Sequence, residues 1–179
     1  MKVLISIFLV VISVGSPLSL SQDRKQTIKP ALALSIRSAQ SSYSIKENIR
    51  LEIQVENVSK DSLLIWRSWG WGVGRTNVRV FDRNGKEVFT DFLADQILPP
   101  PQSSDFIEVK PHEFFGIELD ESATHFVKTP GTYDIFVEYT SSLPDKFIRD
   151  SLQLPNLPIW AREQGTIVSN RIRIVVSKN

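Results

Sequence analysis

The ten residues Asn48–Asn57, NIRLEIQVEN, decide the fold class. Ile49, Leu51, Ile53 and Val55 alternate with Arg50, Glu52, Gln54 and Glu56. A two-residue period puts the first set on one face of an extended chain and the second set on the other. The segment therefore reads as a half-buried antiparallel strand, with one side on a core and one side in water.

The same period recurs on both sides of that strand. ALALSIRS (residues 31–38) places Leu32, Leu34 and Ile36 together, and after the turn residues SKDS the run LLIW (63–66) is short enough to be a strand buried on both faces. TNVRVFDRNGKEVFT (76–90) has Asn84-Gly85 between two β-rich arms and predicts a hairpin with a type I′ turn. DQILPPPQSSD follows, and its three consecutive prolines cannot donate ladder hydrogen bonds, so it predicts a loop or an edge crossing.

DFIEVKPHEFFGIELD (105–120) gives two short strands around Pro111. FVKTPGTYDIFVEYT (126–140) turns at Pro130-Gly131 and then alternates, although Phe136 interrupts its polar face. SNRIRIVVS (169–177) is the last clear strand. Between those two lie residues 141–165, too long for a hairpin loop and too apolar for a linker. Phe147, Leu152, Leu154, Leu157, Ile159 and Trp160 are expected to fold this segment over one end of the domain, with a short helix near residues 145–152. The sum is all-β: two packed antiparallel sheets of about seven to nine short strands.

Composition bounds the setting. Lys2 is followed by the apolar run VLISIFLVVISV and then by GSPLSLS, the pattern of a secretory signal peptide. Cleavage is expected after Ser21, with Gly15 or Ser19 as alternatives. The apolar run is shorter than the roughly 20 residues of a membrane span, so no span is expected once it is removed. Residues 22–30 then read as a flexible N-terminus and 31–179 as one domain, periplasmic or extracellular.

Lys and Arg total 21 against 20 Asp and Glu, with no block of like charge, so nothing points to nucleic acid as a partner. With no cysteine in the chain, neither a disulfide framework nor a thiolate metal site is available, and the apolar core must hold the fold.

PGTYDIFVEY (130–139) carries the most specific likeness. Gly131-Thr132-Tyr133 resembles the tyrosine corner of immunoglobulin-like sandwiches, which implies a Tyr133 hydroxyl bonded to the chain just upstream. Ile135 stands where antibody domains carry a cysteine. The resemblance implies that it packs against Ile53 and against Trp66, the latter in the place of the core tryptophan. The order LEIQVENVSKDSLLI, VRVFDRNGKEV, KPHEFFGIEL, PGTYDIFVEY, SNRIRIVV resembles secreted bacterial immunoglobulin-like domains. It is also similar in order of elements to the bacterial intracellular proteinase inhibitor domain, which implies inhibition through an exposed loop.

Chemistry-bearing patterns are sparse. His112 and His125 form no ligand pair, Asp120 and Glu121 lack the pattern of a dedicated calcium loop, and no metal or cofactor is expected. No serine lies in a nucleophile elbow, and Asp91, Asp95, Glu113 and Glu118 offer carboxylate pairs only if loops converge. An enzyme is therefore not expected. Asn57-Val58-Ser59 fits the glycosylation sequon.

RSWGWGVGRT (67–76) alternates Trp69 and Trp71 with Gly70, Gly72 and Gly74, but a strand-like segment follows where a phosphate loop would need a helix. Two readings remain: Trp69 and Trp71 cap the core and meet Trp160 and Phe147, or Arg67, Trp69, Trp71, Arg75 and Trp160 contact a partner. The expected function is a non-catalytic exported module that binds a protein or other envelope component. Proteinase inhibition through Pro99–Pro101 and carbohydrate binding by stacked tryptophans are the alternatives.

Overall fold

The computed structural model describes residues 31–67, 76–88 and 100–179. The strands are β1 (Leu32–Ser38), β2 (Ser42–Ser44), β3 (Asn48–Asn57), β4 (Leu63–Trp66), β5 (Thr76–Asp82), β6 (Glu87–Val88), β7 (Phe106–Val109), β8 (Phe114–Ser122), β9 (Gly131–Thr140), β10 (Thr166–Val168) and β11 (Ile172–Ser177). Two helices, α1 (Ala123–Phe126) and α2 (Asp145–Ser151), interrupt them. The proposed signal, the flexible N-terminus and most of the glycine-tryptophan stretch lie outside the described residues.

One large sheet runs β1-β3-β8 and the other β2-β11-β9-β5-β6, with β10 also on β9, while β4 and β7 pair antiparallel in a small third sheet. The chain passes repeatedly from sheet to sheet, and apolar faces of both meet in one core that includes Leu51, Ile53, Val80, Ile135, Val137 and Ile174. This is an all-β, antiparallel immunoglobulin-like sandwich. Its strand count exceeds the expected seven to nine for two local reasons. The first strand crosses sheets, β1 pairing with β3 and β2 pairing parallel with β11, and β10 forms in the short stretch between the late apolar segment and β11.

β3 has the expected bounds, with Ile49, Leu51, Ile53 and Val55 fully buried. β4 is buried on both faces because its side chains divide between two clusters. Leu63 and Ile65 enter the main core, while Leu64 and Trp66 enter a second cluster with Phe106, Ile148 and Ile159. The late segment covers that second face and pairs with β4, Leu64 N–H donating to Pro158 O at 2.8 Å and Trp160 N–H to Leu64 O at 2.9 Å.

Two local expectations are corrected. Gly85 has φ 77°, but Asn84 does not share the positive φ that a type I′ turn requires at both central residues. Instead Gly85 N–H donates to Asp82 O at 2.9 Å, and the Asp82 carboxylate accepts from the Asn84 and Lys86 amides. The hairpin is thus a type I turn followed by a left-handed glycine, with Asp82 organising it. In the late segment, helix α2 forms over residues 145–151, but Phe147 is 45 % exposed and Ile148 is the residue it buries.

The tyrosine corner is present: Tyr133 Oη donates to Thr129 O at 2.6 Å. A Cβ on Gly131 would lie 3.3 Å from the Tyr133 ring, so the ring's position favours glycine there. Tyr133→Phe keeps the ring and removes the hydroxyl. We expect about 1.5 kcal/mol of lost stability and a Tm lower by roughly 5 °C, read by calorimetry; an unchanged Tm would mean the bond carries no net stability.

Candidate functional site

Of the residues expected to contact a partner, Arg67 and Trp160 are among the described residues. Trp69, Trp71 and Arg75 lie outside the described residues. Arg67 is exposed just beyond β4, its backbone N–H donating to Asp105 O at 2.8 Å. Trp66 is buried and stacks on Phe106, with ring centroids 6.2 Å apart and planes 12° apart. It belongs to the second cluster, so it does not pack beside Ile135 as a core tryptophan. Among the described residues, Trp160 from the late segment is the tryptophan in the main core, at 3 % exposure. The reason is the direction of β4: Ile65, one residue before Trp66, takes the inward position, and alternation sends Trp66 to the opposite face.

The described polar candidates are engaged by neighbours within the fold. Asn57 of the sequon is fully buried. Its Nδ2 donates to Asp61 O at 2.9 Å and Val109 O at 2.8 Å, and its Oδ1 accepts from Ser59 N–H and Oγ. Both amide protons are engaged, so the sequon cannot be glycosylated in the folded state. His125 Nδ1 meets Glu121 at 3.1 Å, while Glu118 and Asp120 pair with Arg50 at 2.9 and 3.1 Å. Glu113 closes its own turn by accepting from Lys110 N–H at 2.9 Å. Asp91 and Asp95 lie outside the described residues. Among the described residues no three His, Cys, Asp or Glu side chains converge.

A groove of about 750 Å³ opens along one side of the sandwich, between β1 and β10. Residues 31–34 form one wall and Thr166, Ile167 and Val168 the other; Trp160 also lines it, with Val58, Glu163 and Gln164. The lining is mostly apolar, and Val58 and Val168 are 43 % and 54 % exposed. Gln164 is held by Ala161 N–H, which donates to its Oε1 at 2.7 Å. Glu163 accepts from the Asp145 amide at 3.1 Å, and that bond holds its carboxyl below the ordinary glutamate range. The rim is therefore anionic at neutral pH.

Strand register shows what the walls present. Ala31 O accepts from Val58 N–H, and Ala39 N–H donates to Arg50 O, so the odd-numbered residues of β1 bond to β3. The even-numbered ones, Leu32, Leu34 and Ile36, turn their backbone groups to the outer edge. Ser169 N–H donates to Val137 O, so Thr166 and Val168 of β10 likewise face away from β9. At Ile36 the edge is closed by a side chain: Ile36 N–H donates to Asn170 Oδ1 and Asn170 Nδ2 donates to Ile36 O, both at 2.9 Å. Asn170→Ala opens that closure. We expect about 1 kcal/mol of lost stability and faster hydrogen exchange at the Ile36 amide; unchanged exchange would mean the closure gives no protection.

Sequence reasoning missed this groove. Its one sequence signal is ALALS (31–35), an edge strand without the lysine, proline or inward charge that ordinarily protects such an edge.

No protein-family model matches the chain, and no curated protein matches it. Among solved structures it is similar to the CARDB domain of a Pyrococcus furiosus protein in complex with di-metal ions, at 13% identity and TM-score 0.39 over 82% of this chain and 93% of that one. It is also similar to Bacteroides uniformis β-glucuronidase, at 14% identity and TM-score 0.34 over 80% of this chain and 13% of that one.

Proposed function

We propose that the chain is a non-catalytic, exported module that binds another protein of the cell envelope through the side of the sandwich where β1 and β10 part. The observation that carries this reading is the apolar groove with Val58 and Val168 exposed at its lip. Water-facing apolar surface beside a well-formed opening is the usual mark of a protein contact. The signal-like N-terminus, the absence of cysteine and the lack of any reaction-specific spacing support the same reading. Proteinase inhibition and sugar stacking rest on Pro99–Pro101, Trp69 and Trp71, of which only Pro100 and Pro101 are among the described residues, and no described feature favours either.

The test is capture of envelope proteins by the immobilised exported chain, compared with Val58→Asp/Val168→Asp. The variant is expected to keep its Tm within about 2 °C, since both positions are surface ones, and to lose the partners that the unmodified chain retains. Equal recovery of every partner by both proteins would remove the groove as the contact. A Trp69→Ala/Trp71→Ala arm asks the same of the glycine-tryptophan stretch.

A further inference from the structure

The geometry points to a specific occupant of the groove: an extended polypeptide segment that adds to the edge of β1 as a further strand, with alternate apolar side chains turned inward and a cationic residue beside Glu163. This deepens the binding-module reading and rests on it.

The walls supply the first argument. Leu32 and Leu34 direct their N–H and C=O groups into the opening, and no described residue takes them there. Exposed backbone groups of this kind are matched in full by another extended backbone, which satisfies donor and acceptor together at each alternate residue. Asn170 shows what fits, because at Ile36 its carboxamide, one donor and one acceptor, occupies the place of a strand's peptide group. It stops the edge there, and no other described residue closes the edge at Leu32 and Leu34. β10 presents the same kind of edge but has only three residues against seven in β1, so β1 is the better template.

The lining supplies the second argument. A strand's side chains alternate, so one set from the occupant would face the apolar lining around Ile167 and Val168 while the other faced water. The third argument is charge. Glu163 is the one ionisable side chain among the described residues lining the groove, and its bond to the Asp145 amide keeps it ionised, so a lysine or arginine on the occupant complements it.

The probe is the peptide acetyl-Lys-Val-Thr-Val-Thr-Val-amide, made in two N-methylated forms that block either one edge of its backbone or the other. We expect the unmodified peptide to bind and to slow hydrogen exchange at the Leu32 and Leu34 amides. One methylated form should bind on the order of tenfold more weakly while the other is little changed. Glu163→Lys should reverse the preference between this peptide and its Glu-for-Lys counterpart. Equal weakening by both methylation patterns, unchanged exchange at Leu32 and Leu34, or no binding at about 1 mM peptide would overturn strand addition. If Val58→Asp/Val168→Asp still abolished partner capture in that case, the binding module would stand without this mode. If the peptide protected Leu32 and Leu34 but capture were indifferent to the variant, strand addition would stand and the proposed contact with envelope partners would fall.

Discussion

Trp160→Ala is expected to remove about 4 kcal/mol of stability, the range found when a buried tryptophan is truncated, and to lower Tm by roughly 12 °C. Trp160 is 3 % exposed and belongs to the main core, although it comes from the segment between β9 and β11 and not from a strand of either sheet. Its truncation leaves a void that the surrounding strands cannot close, because their spacing is fixed by hydrogen-bonded partners. The consequence reaches further than the void. Trp160 N–H and Pro158 O clasp both backbone groups of Leu64, and Ile159 beside them fills the second cluster. One short run therefore joins the two apolar clusters. Limited proteolysis of the variant should give new cleavage within residues 141–165 before the rest of the domain is cut. A variant that loses stability with that segment still resistant would show that the tryptophan fills space without anchoring the chain.

The second large effect is expected at Asn57. Asn57→Ala strands Val109 O and the Ser59 amide without their present partner and leaves Asp61 O only the Ser59 hydroxyl, around a residue that has no exposure itself. Each orphaned buried group costs about 1–3 kcal/mol where water cannot replace the lost partner, so a total near 3 kcal/mol is expected. Urea unfolding should show a lower midpoint with an unchanged slope, the signature of altered stability in an unaltered transition. Asn57→Asp should be at least as damaging. A carboxylate can accept from Ser59 but cannot donate to Val109 O or Asp61 O, and it brings a charge into a buried turn. If the aspartate variant were as stable as the original, water must reach this position.

Those two residues also mark where the sequence is informative. Alternation identified β3 to the residue, because ten positions of one period leave little freedom of register. The tyrosine corner was legible because glycine and tyrosine at that spacing meet a local steric need. The fate of the tryptophans was not. Trp66 and Trp160 are equally apolar in sequence, and which one enters the main core depends on how β4 alternates and on the return of the late segment. Asn57 and Asn170 were illegible for another reason. Each uses its carboxamide in place of a peptide group, a role that depends on partners far away in the chain, and residue type alone reports only polarity. The groove escaped notice because it is a property of two edges, one in each sheet, and periodicity describes strands one at a time.

The crossing of the first strand from one sheet to the other has a consequence for when the molecule can fold. β2 has its partner in β11, and the Asn170 amide that closes Ile36 is 134 residues along the chain from it. β11 also lies between β2 and β9, so the second sheet is incomplete until that strand has been made. Contacts of such separation must wait for the chain between them, and they slow folding. A polypeptide built this way cannot complete its second sheet until its last strand has left the ribosome.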